Sequence, residues 1–224
     1  MIFDKKIKDV IKQTLQLDES LVAQEKKFIL NTDFLSTANK ENHIELYQNY
    51  IKEFNEISTE LDTVNRGTAD SNNSDFRNLK VSETYNMNAA YLHELYFANI
   101  SDVHSKITTD SLSFMRLERD FGSFDAWQKD FIACCLASQC GWAITYLNTY
   151  THSYMNCSID LHSLNVPFGS YPVIVMDVWQ HAYYKDYLKD VKTYTIAMMK
   201  QLNWKVIENR FKKADAILNV VRGK

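Results

Sequence analysis

DVWQHAYYKDY, residues 177–187, follows directly on the apolar run PVIVM, residues 172–176. The run reads as a buried strand, so Asp177 stands at its end as a carboxylate with little access to water. Left alone there it would be an uncompensated buried charge, a cost that a cation would remove. His181 lies four residues on, with Trp179, Tyr183 and Tyr184 around it. A helix or a turn produces D-x-x-x-H pairs by chance, so the spacing alone leaves a metal site and a hydrogen-bonded core histidine both open.

The rest of the chain narrows the classes. Its 224 residues are 46% hydrophobic and 13% aromatic, enough for a substantial core in one domain or two lobes sharing an interface. A net charge of -3, without long runs of either sign, argues against nucleic acid as a partner. The opening MIFDKKIKDV places charges where a secretory signal needs an apolar core. The longest apolar runs, such as FIACCLA and PVIVM, are too short to span a membrane. Cys134, Cys135, Cys140 and Cys157 lie close in sequence without CxxC spacing, which suits small reduced core side chains rather than a zinc cluster or a disulfide framework. A cytoplasmic location is the expectation.

Only 5 Gly and 2 Pro interrupt the chain, so long helical segments dominate. Phe3, Ile7, Val10, Ile11 and Leu15 form one stripe and predict an amphipathic helix over residues 3–17. A longer helix is predicted from near Ser36 to about residue 61, an exposed loop over 65–75, and a further helix over 82–98. Ser123 and Asp125 open another, over 123–139. After Gly141, GWAITYLNTY and YMNCSIDLH carry the alternating, β-branched and aromatic residues of strands, and YPVIVMDVW reads as a third. The remainder returns to helix. Helices first, then a short sheet with helices around it, predict an α+β chain in two lobes.

Three of the six histidines sit in dense aromatic surroundings: His43 in NHIELYQNY, His93 in AYLHELYF and His181 in DVWQHAYY. On a helix His43 shares a face with Tyr47, and His93 with Phe97. Each imidazole would point inward, where an unpaired one is costly. Two or three imidazoles with one carboxylate make a mixed N/O site suited to a redox-active first-row metal.

At this point the chain resembles the iron/manganese superoxide dismutase family over roughly residues 30–212. DVWQHAYYKDY is similar to the family's D-x-W-E-H-A-Y signature, and Asn203-Trp204 to its N-W pair. DFGSFDAWQKDF (120–131), CGWAITYL (140–147), LHELYF and LST–NHIELYQNYIKEFNEI match further blocks in the same order, with Tyr50-Ile51 where the family has Tyr-Val. The DFG triplet also occurs in protein kinases, but neither a glycine-rich loop nor an HRD segment accompanies it.

The resemblance implies an N-terminal long-helix hairpin lobe (30–100), then a lobe (101–224) with a small antiparallel sheet surrounded by helices; residues 1–29 would be an N-terminal extension. It implies one iron or manganese ion per chain, held by His43, His93, Asp177 and His181. Counting from Ser36 puts His43 at the ligand position, whereas counting back from Tyr50 leaves the register one residue short. His43 is preferred because the other register selects Asn39, and a one-residue irregularity in the helix would absorb the difference. Tyr50 resembles the tyrosine at the mouth of the family's substrate channel, and Trp142 and Trp179 its aromatic wall. The family's second-helix glutamine is replaced by Ala89, which leaves His162 as the candidate for that hydrogen-bonding role; a surface loop histidine is the alternative.

The implied activity is disproportionation of superoxide to oxygen and hydrogen peroxide in a homodimer or dimer of dimers. A dismutase-fold interaction module without activity is the rival reading. A metal-dependent oxidoreductase for a larger substrate fits less well, because aromatics crowd the site. Gln180 stands where the family usually has Glu reaching across a dimer interface, and a neutral amide accepts that hydrogen bond more weakly.

Overall fold

The computed structural model describes residues 23–101 and 105–223. The helix expected over residues 3–17 lies outside them. Two long antiparallel helices, α1 (Thr37–Thr63) and α2 (Asp75–Ile100), form the first lobe. The side-chain oxygen of Ser36 accepts the Asn39 N–H at 3.2 Å and fixes where α1 begins. His43, Tyr47, Ile51, Phe54, Ile57 and Leu61 recur at three- and four-residue spacing and are buried against α2. The helix is α-helical throughout, so the expected one-residue irregularity is absent; His43 and Tyr50 sit two turns apart without it.

α2 begins seven residues before the sequence reading placed it. Ser74, counted there among the turn formers of the loop, is the cap of the helix and accepts the Arg77 N–H at 3.3 Å. Asp75 in the first turn complements the positive helix end. An extended segment, residues 23–34, runs along the hairpin. It is tied on by paired hydrogen bonds between the Ala23 backbone and Asn55, and by a Lys26–Glu94 ion pair.

In the second lobe, α3 (Leu112–Phe121) and α4 (Phe124–Ala137) precede the strands β1 (Gly141–Asn148), β2 (Ser153–Asp160) and β3 (Ser170–Asp177), with α5 (Gln180–Tyr187), α6 (Val191–Lys200) and α7 (Trp204–Val221) after them. The sheet is antiparallel in the order β2-β1-β3. Every residue of β1 is buried, as a central strand covered on both faces requires. Gly141 starts it because a Cβ there would lie 1.9 Å from the Ile159 carbonyl oxygen. Pro172 lacks a ladder donor and is accommodated because β3 is an edge strand, beside an irregularity at Thr145/Tyr146. The register places Trp142 opposite Asp177, which brings the indole to the carboxylate's end of the sheet.

One continuous core joins the lobes, with Phe97 of α2, Trp142 and Ile144 of β1, Trp127 of α4 and Phe211 of α7 all fully buried. Arg210 of α7 reinforces the junction: its guanidinium donates to the Leu95 carbonyl of α2 at 2.8 Å, to the Val173 carbonyl of β3 at 3.3 Å and to Asn99 Oδ1. Burial lowers its pKa to about 10, and it stays charged at neutral pH. Among the described residues no helix is long and apolar enough to cross a membrane. All four cysteines are free thiols, with only Cys135 fully buried.

Candidate metal centre

Four elements deliver one residue each. His43 comes from the second turn of α1, His93 from the last two turns of α2, Asp177 from the end of β3 and His181 from the first turn of α5. Their candidate ligand atoms all lie within 4.8 Å of one another. The strand-to-helix turn orients the carboxylate: the Trp179 N–H donates to Asp177 Oδ1 at 2.8 Å, leaving Oδ2 for the cluster. Oδ2 lies 3.1 Å from His43 Nε2, 3.2 Å from His181 Nε2 and 3.6 Å from His93 Nε2. The Tyr194 hydroxyl donates to the Asp177 carbonyl at 2.8 Å and is itself 3.0 Å from the Tyr96 hydroxyl. This anchoring joins α2 and α6 to the end of β3.

The histidine protonation states decide whether a cation fits. His93 Nδ1 is 2.7 Å from the Ala89 carbonyl oxygen, which can only accept, so the neutral ring carries its proton there. Nε2 is then a bare lone pair, fully buried, without a hydrogen-bond partner, and aimed at a carboxylate oxygen. Two electron-rich atoms facing each other in a dry site are unfavourable unless a positive ion lies between them. Three imidazole nitrogens and one carboxylate oxygen are the donor set of a first-row metal such as iron or manganese.

The electrostatics agree with neutral ligands. Burial lowers the pKa of His43, against the raising effect of Asp177. Burial and then the neighbouring His43 push His93 far down. Burial opposes ionisation of Asp177, but the charge and hydrogen bonds of His181 and His43 outweigh it and hold the carboxyl well below the usual range. His43 and His93 therefore offer lone pairs at neutral pH, and Asp177 offers a negative charge.

Aromatic rings cover much of this cluster, in which His181 alone is partly exposed. Trp142 meets His93 edge to face at 5.0 Å, Phe97 meets His43 at 4.9 Å, and Trp179 stacks along His181 at 5.8 Å. His162 lies in a loop but is fully buried, not at the surface. The Trp142 indole N–H donates to His162 Nδ1 at 3.0 Å. The neutral His162 ring then holds its proton on Nε2, from where it donates to the Tyr50 oxygen at 3.2 Å. Burial lowers the His162 pKa to about 4, so it is neutral in this role. Tyr50 packs on His93 at 5.3 Å between ring centroids, and burial drives its phenol well above the ordinary value.

The structure thus brings together all six residues singled out in the sequence: His43, His93, Asp177, His181, Tyr50 and His162. The anchoring tyrosines Tyr96 and Tyr194, and the α2 residues Tyr85 and Asn88 beside His162, escaped the sequence reading. For Tyr85 a signal existed, since Tyr85, Ala89 and His93 follow a four-residue spacing on one helix face.

The chain is similar to known proteins. Residues 111–210 match the family described as iron/manganese superoxide dismutases, C-terminal domain. The chain is 35% identical over 188 residues to proteins named superoxide dismutase [Fe] from Aquifex aeolicus and Aquifex pyrophilus, covering 82% of this chain and 87% of each relative. It is 28% identical over 168 residues to superoxide dismutase [Mn] 1 of Halobacterium salinarum, covering 75% of this chain and 82% of that one. Fold and site define a mononuclear metalloprotein of the helical-hairpin-plus-sheet class. The chain belongs to the iron/manganese superoxide dismutase family.

Proposed function

We propose that this protein is a superoxide dismutase working at one iron or manganese ion held by His43, His93, Asp177 and His181. The observation that carries the assignment is the convergence of three imidazole Nε2 atoms on Asp177 Oδ2, with His93 Nε2 lacking any other partner. When bound, such an ion supplies the one-electron exchange by which two superoxide anions and two protons become dioxygen and hydrogen peroxide. The chain's own residues do the rest. Tyr50 and His162 form a hydrogen-bonded pair beside the ligands, able to orient a small anion and to hold a proton at the Tyr50 oxygen. Trp142, Trp179 and Phe97 keep the surroundings dry, which strengthens every charge interaction inside.

Several finer readings belong with this proposal. The ligands divide between a hairpin lobe over residues 30–100 and a sheet lobe over 101–224, with residues 1–29 as an extension. In a homodimer or dimer of dimers, the exposed rim where Gln180 and the 26% exposed His181 border a depression of about 270 Å³ with Asn42, Tyr184 and Lys185 would face the partner. Gln180 at that rim would accept a bond from a partner's imidazole more weakly than Glu. The four free thiols suit a cytoplasmic location.

Metal analysis of the purified protein together with a superoxide-scavenging assay tests the assignment. The expected result is about one iron or manganese per chain, as for a single mononuclear site, with activity that is lost on His43→Ala. Protein without metal would overturn the enzyme reading, and metal without activity would favour the inactive interaction module. Unchanged activity and dimer stability in Gln180→Glu would remove the role given to that side chain.

A further inference from the structure

His162 belongs to a loop of the sheet lobe, yet it acts beside ligands from the hairpin, so something must hold it there. Its backbone setting is unusual: the preceding Leu161 has φ 54°, a left-handed conformation that a branched side chain adopts only under constraint. The Leu161 N–H donates to the Cys140 carbonyl at 2.7 Å, and two residues of α2 hold His162 itself. The Asn88 side-chain amide donates to the His162 carbonyl at 3.0 Å. The Tyr85 ring meets the His162 ring edge to face, with centroids 4.6 Å apart and planes at 71°. On its other side the His162 ring stacks on Trp179 at 5.1 Å. Ala89, one turn from Tyr85 and one from His93, is fully buried and carries only a methyl group. Tyr85 also lies 6.4 Å from Tyr50, between ring centroids, so one side chain borders both members of the hydrogen-bonded pair.

We propose that Tyr85 is a positioning residue for the dismutase reaction: its ring fixes the His162 imidazole and thereby the hydrogen bond to Tyr50, while Asn88 holds the same residue by its backbone. This rests on the dismutase reading given above.

The test uses the indole N–H groups as reporters in metal-free protein, followed by NMR hydrogen exchange. Trp142 Nε1–H donates to His162 Nδ1, and Trp127 Nε1–H donates to Thr145 Oγ1 at 3.0 Å, far from Tyr85 in sequence and on another helix. In Tyr85→Leu the Trp142 indole proton exchanges about tenfold faster, the order expected when one hydrogen bond is weakened, while Trp127 is unmoved. Tyr85→Phe keeps the ring, so its Trp142 proton exchanges more slowly than that of Tyr85→Leu, with Trp127 again unmoved. Asn88→Ala, which removes no ring, moves Trp142 in the same direction and serves if Tyr85→Leu fails to fold. In metal-loaded enzyme, Tyr85→Leu lowers kcat by up to about a hundredfold, as ångström-scale misplacement does, with KM little changed. Wild-type exchange of Trp142 in both Tyr85→Leu and Asn88→Ala overturns the proposal. Loaded wild-type protein inactive on superoxide would instead overturn the dismutase reading, and the exchange data would stand apart from it.

Discussion

Removing the metal should cost this protein a measurable part of its stability. The four proposed ligands come from α1, α2, β3 and α5, so an ion bound by them ties both lobes together and binds only the folded chain. A ligand present at a thousand times its dissociation constant stabilises by about 4 kcal/mol. For a chain of this size each kcal/mol moves the melting temperature by about 2–4 °C, so loaded protein should melt roughly 8–16 °C above metal-free protein. The metal-free cluster cannot compensate internally. His43 and His181 can each turn a ring proton toward Asp177 Oδ2, but the His93 proton is committed to the Ala89 carbonyl. Scanning calorimetry of chelator-treated protein, before and after stoichiometric iron or manganese, gives the shift directly. His93→Ala should abolish the response to added metal. Equal melting temperatures with and without metal, or a full response in His93→Ala, would refute the reasoning.

Three further outcomes follow from single positions. Gly141→Ala places a Cβ 1.9 Å from the Ile159 carbonyl and should cost more than about 4 kcal/mol, read as loss of folded protein or a collapsed denaturation midpoint. Ser36→Ala removes the α1 cap and should cost about 1 kcal/mol in urea denaturation with an unchanged m-value. Burial raises the Cys157 thiol to about 11. Its folded pKa lies above its unfolded value, so this group's contribution to stability is present below about pH 8.5 and is lost as pH rises toward 11. Its alkylation should accordingly be slow at pH 8 and accelerate about tenfold per pH unit up to that range, followed by mass spectrometry of the labelled peptide.

Much of this architecture is written locally. Ser36, Ser123 and the PVIVM strand announce their own roles, because a hydroxyl before a helix and an unbroken apolar run mean the same thing in most contexts. Asp177 and His181 are legible for a related reason: a carboxylate closing a buried strand requires a partner, and the histidine is near in sequence. What was hidden depends on tertiary neighbours. Ser74 and Asp75 looked like loop because turn formers and helix caps are the same residues. The fully buried position of His162 could not be read from LHSLNVP, since its cover is supplied by Tyr85, Trp142 and Trp179 from elsewhere. α3 went without a prediction although Ser111 caps it and Gly122, at φ 83°, ends it. The irregularity invoked for α1 answered a counting problem that the uninterrupted helix does not have.

Arg210 carries a consequence for the order of events in synthesis. The hairpin is complete once residue 100 has emerged, but the guanidinium that joins Leu95, Asn99 and Val173 is made more than a hundred residues later. At typical elongation rates that interval is roughly 5 to 20 seconds. For the first part of it, until residue 177 is made, the inner face of α1 and α2 has no complete sheet to pack against, and His43 and His93 wait without Asp177. The nascent chain therefore presents two imidazoles to the surrounding medium before the carboxylate that completes the set exists. The ligand set is complete once His181 is made, and the Arg210 latch that joins the lobes closes only afterwards, with the last helix.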